Sequence, residues 1–450
     1  MAPSTPCWPA NGPAPVLSPK ISELTAEIAE NSKILENYII SHGLTYPSFA
    51  ADGPLKCTLP LPSTPELKKI HEARFKVLAA TKELHDLVTF PSESVQWLAV
   101  NFTDSAALQV IYQFNIAQLV PENGEISITD LSKKINVSPV KLGQVLRLAM
   151  TNHIFCEPRD GYVAHTAASM ILRDEKSPVT AWVGTSVDEF LHFGPNLTKN
   201  LEQYGQSDEF KEAAFSMAFN GLGFFEYLGT DLAKARRFGV SMSQFSGGEG
   251  FRPDASIKGY DWGKLPRGST VVDVGGATGF VSIEIAKANP TLKFLVEDIS
   301  PLSLETGKNN VAQNYPDLVG RFQYVEHNFF HKQPAVAKGK DVYFLRFILH
   351  DWPDKSVLQI LKNIVPAMKN GSKIVVSDMV IPPANIMDAW EDRRTRITDL
   401  LLLGLFNSYE RREADWRRIF SQVDPKLKLD GFVRPPGSLT WIIEATFSDE

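Results

Sequence analysis

With 450 residues, 43% of them apolar, the chain is long enough for about two or three globular domains. A formal net charge of −6 argues against a nucleic-acid partner or an anionic membrane surface. Three widely spaced cysteines (Cys7, Cys57, Cys156) exclude a disulfide framework and a zinc site, and no apolar run reaches membrane-spanning length.

The chain opens with six prolines in its first twenty residues and no apolar signal core. Residues 1–20 therefore read as a disordered tail, and the expected location is cytoplasmic. Ile21, Leu24, Ile28, Leu35 and Tyr38 then mark one face of a helix. A loop spans Gly43 to Pro65. Leu67, Ile70, Ala73, Val77, Leu84 and Val88 mark a second amphipathic helix. Two such helices carry more apolar surface than a lone hairpin hides, which points to a homodimer.

Residues 105–172 read as a separate module. A helix is predicted over Ala106 to Gln118 and a second from Ile128, capped by Ser127 or Thr129. A third covers Val140 to Asn152, and a hairpin follows over Phe155 to Val163 with its turn at Arg159-Asp160-Gly161. This is a winged-helix pattern, which raises DNA binding as an alternative function. The third helix carries only Lys141 and Arg147 as cations, too few for a recognition helix. Residues 181–260 are predicted to be helices that roof a pocket. Phe190, Phe193, Phe210, Phe215, Phe219, Phe224 and Phe225 gather there, either as core or as pocket wall.

Residues 270–298, TVVDVGGATGFVSIEIAKANPTLKFLVED, contain the most specific local pattern. An apolar strand, Thr270 to Val274, meets a glycine turn. A helix with Val281, Ile285 and Ala288 on one face follows, and a second strand, Leu292 to Val296, ends in Glu297 and Asp298. That order is the first half of a nucleotide-binding α/β fold. Glycines let backbone approach a ligand, and an acid after the second strand can accept bonds from ribose hydroxyls. The turn reads Asp273-x-Gly275-x-Ala277-x-Gly279, not G-x-G-x-x-G. A carboxylate beside the turn would repel a pyrophosphate and suits a cationic ligand, such as the amino acid end of S-adenosylmethionine; a dinucleotide site and a βα turn without any ligand stand as the alternatives.

A second cluster, DVYFLRFILHDWPD at residues 341–354, places His350-Asp351-Trp352-Pro353-Asp354 after a buried strand predicted over Asp341 to Leu349. A helix from Lys355 to Met368 and a strand from Lys373 to Ser377, ending at Asp378, come next. Tyr409-Glu410-Arg411-Arg412 follows a helical run from Thr398 to Phe406. With VVDVGGATG, RFQYVEHNFF, FLRFILHDWPD, KIVVSDMVIPP, NSYERREADW and FFEYLGTDLAKARRFGVSMSQFS in this order, the chain resembles the S-adenosylmethionine-dependent O-methyltransferases of the plant caffeic acid type. It most resembles their fungal polyketide-tailoring relatives, over roughly residues 100–450.

The resemblance implies an α/β fold: a Rossmann-like seven-stranded methyltransferase domain over 181–450, preceded by a helical winged-helix dimerisation domain over 21–180. It implies S-adenosylmethionine as co-substrate, no metal, and a small aromatic or polyketide hydroxyl as acceptor. It places His350 as general base, flanked by Asp378 and Glu410. Asp273, Gly275, Gly276, Gly279, Asp298, Asn328, Phe329, Arg346, Trp352 and Ser246 fall on the cofactor site, with Asp298 as ribose acid and Trp352 as adenine-stacking ring. Met242 and Phe225 fall, with His350, on the substrate wall. There are departures. Ala277 replaces a glycine, tolerable in a turn at negative φ. Asn328 replaces an aspartate, and Asp378 is one methylene shorter than the usual glutamate.

The residue types suit the chemistry. Ionising a phenol of pKa near 10 at pH 7 costs roughly 4 kcal/mol. A histidine can take that proton as transfer proceeds, giving about 10²–10⁴-fold, and a carboxylate on its other nitrogen holds the tautomer. Each residue also has a plainer reading: His350 and Trp352 as packing groups, Asp378 as a cap on the turn at Pro382-Pro383, Glu410 as a partner of Arg411 or Arg412. A second function also stands open, in which the fold binds S-adenosylmethionine but catalyses a cyclisation, rearrangement or decarboxylation.

Overall fold

A computed structural model describes residues 19–62, 64–247 and 250–449, with the side chains of 244–247, 254 and 255 outside the description. The predicted tail lies almost wholly outside it. Helix α1 (Ile21–Ser41) pairs with α2 (Pro65–Thr89). Leu24 and Tyr38 are buried between them, as are Ile70, Ala73 and Ala80 on α2, but Ile21 is 54% exposed. The connecting loop is tied down: His71 Nε2 bonds the carbonyl of Pro60 at 2.8 Å, and Phe49 stacks on His153 at 3.8 Å.

Helix α3 (Pro91–Val100) buries nothing; Trp97 and Leu98 are 59% and 65% exposed. The helix predicted over 106–118 is two, α4 (Phe102–Gln113) and α5 (Ile116–Leu119). Asn115 at φ 50 breaks it, a left-handed conformation that asparagine tolerates, and the break lets Ile116 and Val120 bury completely. Strand β1 (Glu125–Ser127) leads into α6 (Ile128–Ile135), where Ser127 Oγ accepts from the Asp130 amide at 3.0 Å. Helix α7 (Pro139–Thr151) precedes the wing: β2 (Tyr162–Ala164) pairs antiparallel with β1, and Cys156 bridges Ala164. On α7, Arg147 is held by two bonds to Glu157, at 2.9 and 2.8 Å, so one of its two cations is already engaged.

Helices α8 (Ala167–Arg173) to α14 (Pro253–Gly259) bridge to the second domain. Among them are α9 (Pro178–Asp188), α10 (Gly194–Tyr204), α11 (Ala214–Ala218), α12 (Phe224–Gly229) and α13 (Leu232–Gly247). Arg237 on α13 bonds Asp188 and Glu189 at 2.7 and 2.5 Å, joining α13 to the end of α9. Most of the bridging phenylalanines are core. Phe190, Phe215 and Phe224 are buried, and Phe193, Phe210 and Phe219 pack against them.

The α/β domain alternates β3 (Thr270–Val274), α15 (Phe280–Ala288), β4 (Lys293–Asp298), α16 (Pro301–Asn314), β5 (Phe322–Glu326), β6 (Val342–Arg346), α17 (Asp354–Ile364) and β7 (Lys373–Met379). It continues through α18 (Ala389–Phe406), α19 (Glu413–Val423), β8 (Leu427–Val433) and β9 (Thr440–Phe447). The seven-stranded sheet has the order β5-β4-β3-β6-β7-β9-β8. β5 through β7 are parallel; β9 is antiparallel to β7 and to β8. Both faces are covered, which is why the strands read as continuous apolar runs. Val272, Val274 and Leu295 face α17 and α19, while Val271 and Phe294 face α15 and α16.

Other predicted elements differ, and the helix predicted over Lys355 to Met368 is α17, ending at Ile364. Ala288 is exposed at the end of α15, not on its buried face. The strand predicted to Leu349 stops at Arg346. Phe347 takes φ 53, turning the chain out of the sheet, and Leu349–Asp351 forms one 3₁₀ turn.

Candidate active site

The chemistry gathers at the carboxyl ends of β3, β4, β6 and β7, the edge where open α/β sheets bind ligands. At the first of these, Gly275 sits at φ +72 with Ile348 so close that a Cβ would lie 2.6 Å from it; only glycine fits. A Cβ on Gly276 would strike the Asp273 carboxyl at 2.5 Å. Asp273 therefore lies beneath the turn rather than open to a ligand, and accepts from Ser282 Oγ at 2.6 Å. Burial pushes its pKa up to about 6. Gly279, also at φ +72, opens α15.

Ala277 lies at φ +49, so the negative φ under which a turn tolerates alanine in place of glycine is not met. The left-handed region costs a side-chain-bearing residue about 1–2 kcal/mol. The Ala277 amide donates to Asp298 Oδ2 at 2.9 Å, which helps hold it there; Oδ1 of Asp298 accepts from the Ser300 amide at 2.8 Å. Each oxygen keeps a lone pair for a ribose hydroxyl. A glycine cradle with no room for Cβ atoms and an acid at its far end fits S-adenosylmethionine. Asp298 and the backbone of the turn would hold it.

Beside it, Glu297 is buried with neither carboxyl oxygen bonded, and burial pushes its pKa up to about 7. Gln333 is its polar neighbour but lies outside hydrogen-bond geometry, drawing that pKa back only partly.

Asn328 and Phe329 follow β5. The Asn328 side-chain oxygen accepts from the Phe330 amide at 3.0 Å, fixing the loop. Phe329 meets Trp352 edge-on at 5.8 Å, as does Phe330 at 4.6 Å, while Phe210 stacks on Trp352 at 4.5 Å. Phe225 lies 5.9 Å from Trp352 and stacks on Phe406. Trp352 is thus packed into the aromatic cluster under the roof as well as standing at the cofactor edge. Arg346 donates to the Phe251 carbonyl at 2.6 Å and lies 4.3 Å from the Phe347 ring centre; burial draws its pKa down to about 10. Met242 is half-buried on α13. The side chain of Ser246 lies outside the described residues.

His350 is buried on the 3₁₀ turn. Its Nδ1 lies 2.9 Å from Glu410 Oε1 and its Nε2 3.5 Å from Asp351 Oδ1. Asp378 does not take the place expected of it: fully buried, it makes neither a hydrogen bond nor an ion pair with His350. It caps no turn either. Asp351, next to the histidine in sequence, stands nearer, and was legible in HDWPD only as part of a motif. Burial alone would pull the His350 pKa down; Glu410, Asp351 and Asp378 outweigh it, and the net pKa is pushed up to about 10. Asp351 and Asp378 are pushed up to about 6 and about 7 by burial. Histidine and acids titrate as one cluster. Arg411 bonds Asp354 and the turn itself, so Glu410 has the histidine rather than Arg411 as its partner. Among the described residues no group of three or more His, Cys, Asp and Glu could hold a metal ion, and no helix is long and apolar enough to cross a membrane.

A seven-stranded, mostly parallel sheet, a glycine turn ending on an acid, and a buried histidine–carboxylate pair at one edge are the features that the resemblance to S-adenosylmethionine-dependent O-methyltransferases implies. The O-methyltransferase domain family matches residues 199–424, and the O-methyltransferase dimerisation domain matches residues 97–174. The chain belongs to the O-methyltransferase family. It is 35% identical to a chlorophenol O-methyltransferase of Trichoderma longibrachiatum, across 95% of this chain and 90% of that one. It is 34% identical to the O-methyltransferase of a grayanic acid biosynthesis cluster in Cladonia grayi, across 96% and 88%. In fold it resembles the crystal structure of OxaC, with a TM-score of 0.74 at 19% identity over 95% of this chain and 99% of that one. It also resembles a structure described as a pericyclic reaction enzyme, with a TM-score of 0.69 at 19% identity over 94% and 100%.

Proposed function

We propose that this O-methyltransferase methylates a phenolic hydroxyl of a small aromatic or polyketide molecule, with His350 as general base. The observation that carries this reading is the 2.9 Å contact between His350 Nδ1 and Glu410, which leaves Nε2, 3.5 Å from Asp351 Oδ1 and beyond hydrogen-bond geometry, as the ring nitrogen that would take a proton from an acceptor. S-adenosylmethionine supplies a methyl on a sulfonium that departs as a neutral thioether. His350 takes the acceptor O–H proton as the oxygen–methyl bond forms, and Glu410 stabilises the imidazolium. Among the roof phenylalanines Phe225, 38% exposed beside Trp352, offers a flat apolar face suited to an aromatic ring. The name of the chlorophenol relative supports a phenolic substrate, and that of the grayanic acid cluster relative a biosynthetic one.

The same reading includes a homodimer in the cytoplasm, with no nucleic-acid or membrane partner, and a division near residue 180. The dimerisation-domain match supports the dimer, as does the uncovered apolar surface of α3. The test is incubation with methyl-labelled S-adenosylmethionine and a panel of phenols. Mass spectrometry should find label on a phenolic oxygen; unlabelled products throughout would reject the proposal.

One observation favours a second reading. Glu410 and Asp351 flank His350 at 2.9 and 3.5 Å and hold it protonated, which suits proton donation to a substrate in an acid-assisted cyclisation, rearrangement or decarboxylation. Turnover of a candidate substrate that depends on the cofactor but leaves its methyl in place would select that reading.

A further inference from the structure

Arg411 is fully buried and follows directly the carboxylate that contacts His350. Its three kinds of donor nitrogen are all used across one short turn. Nη1 donates to the Leu349 carbonyl at 2.9 Å, Nη2 to the Trp352 carbonyl at 2.6 Å, and Nε to Asp354 Oδ1 at 2.9 Å. The two carbonyls bracket His350 and Asp351. Neighbouring residues add to the same seam: Ser408 Oγ donates to the His350 carbonyl at 2.6 Å, and the Tyr409 hydroxyl donates to Asp354 at 3.1 Å. Residues 408–411 are thus laced to 349–354.

The lacing answers a local need. Phe347 has turned the chain out of β6 in a left-handed conformation, and Leu349–Asp351 is a single 3₁₀ turn whose one closing bond, from the Trp352 amide to the Leu349 carbonyl, is long at 3.3 Å, leaving the His350 and Trp352 carbonyls to partners outside it. Without partners the turn could settle in other registers. A planar guanidinium reaches three diverging acceptors at once; an ammonium, a point donor on a flexible stem, does not.

We propose that Arg411 is a positioning residue for methyl transfer, holding in one register the turn that presents His350 to the acceptor and Trp352 to the cofactor. This rests on the assignment of those two residues above. One group thereby sets two functions, so its loss should lower turnover and cofactor affinity together.

The test uses the full-length enzyme with Arg411→Lys, Arg411→Ala and, as a milder change on the same seam, Ser408→Ala. Cofactor affinity is read by calorimetry with S-adenosylmethionine, and turnover as kcat and KM. Arg411→Lys should lower kcat about 10²-fold, the cost of a misplacement near 1 Å, and weaken cofactor binding in step. Guanidinium ion below denaturing concentrations should restore part of both in Arg411→Ala, while methylammonium should not. If the arginine variants do not fold, Ser408→Ala decides: a joint fall in kcat and cofactor affinity supports the proposal, and no change in either overturns it. Folded Arg411→Lys enzyme with wild-type kcat and affinity also overturns it. Loss of cofactor affinity in Arg411→Lys alongside full turnover in His350→Ala would reject the base and leave Arg411's role standing.

Discussion

Nδ1 of His350 and Oε1 of Glu410 lie 2.9 Å apart across sixty residues of sequence. The contact fixes which ring nitrogen carries the proton in the neutral histidine: Nδ1–H donates to the carboxylate and Nε2 is left to accept. His350→Ala should lower turnover about 10²–10⁴-fold while cofactor affinity stays near its original value. Steady-state rates and calorimetry on one preparation measure both. Near-full turnover from pH 6 to 9 would remove the histidine from the mechanism.

The acids around His350 set its pH dependence. A base must be neutral to act, and here the imidazole pKa is pushed up to about 10. Single-turnover rates in the wild-type enzyme should therefore still be rising at pH 8. Asp378→Asn removes one of the carboxylates that raise that pKa, so its acid limb should move to lower pH. Stability should shift as well. A raised carboxyl pKa means stability that is present below the ordinary carboxylate range and lost as pH rises through the folded value, about 7 for Asp378. The variant should come closest to wild type in thermal melts at pH 3, below the ordinary carboxylate pKa, and exceed it at pH 8. An unmoved rate profile would show that Asp378 does not act on the histidine.

At the cofactor turn, Ala277 stands at φ +49 where its side chain is disfavoured. Ala277→Gly should relieve about 1 kcal/mol of native strain, set against a smaller gain of freedom in the unfolded chain. The net expectation is a slightly higher melting temperature with tighter cofactor binding. Thermal melts and calorimetry measure these, and a clear drop in melting temperature would show that the turn is unstrained.

Trp97 and Leu98 stand exposed on α3, within the matched dimerisation domain. Full-length protein at tens of micromolar should scatter light as twice the chain mass. Replacing both residues by glutamate should yield a smaller species, since two charges on an apolar interface cannot both be desolvated without partners. A wild-type monomer with full activity would refute the dimer.

The parts of the site legible beforehand are those with local causes. Thr270 to Val274, the glycine turn and Asp298 form a strand–turn–helix–strand unit whose periodicity and glycines are readable in a window of thirty residues, and the structure reproduces it. The HDWPD turn after β6 is legible in the same way, whereas the wing differs from the hairpin predicted over 155–163: Tyr162–Ala164 pairs with Glu125–Ser127 and meets Cys156 through a single bridge. The φ of Ala277 was not, because the amide bond to Asp298 that accompanies it crosses from one strand end to the next. Nor was the left-handed Phe347 that ends β6 early, since it depends on where the turn is pinned.

By itself the sequence determined the sheet's nucleotide-binding half, the winged module, and the family to which its motifs point. Tertiary structure alone decided that Glu410 takes Nδ1, that Asp378 falls short while Asp351 stands closer, and that Arg411 binds the turn instead of Glu410. Strand and helix patterns follow from neighbours along the chain, whose spacing fixes which faces are buried. The partner of a buried polar group follows from which atoms packing brings within about 3 Å, and no spacing in the sequence encodes that distance.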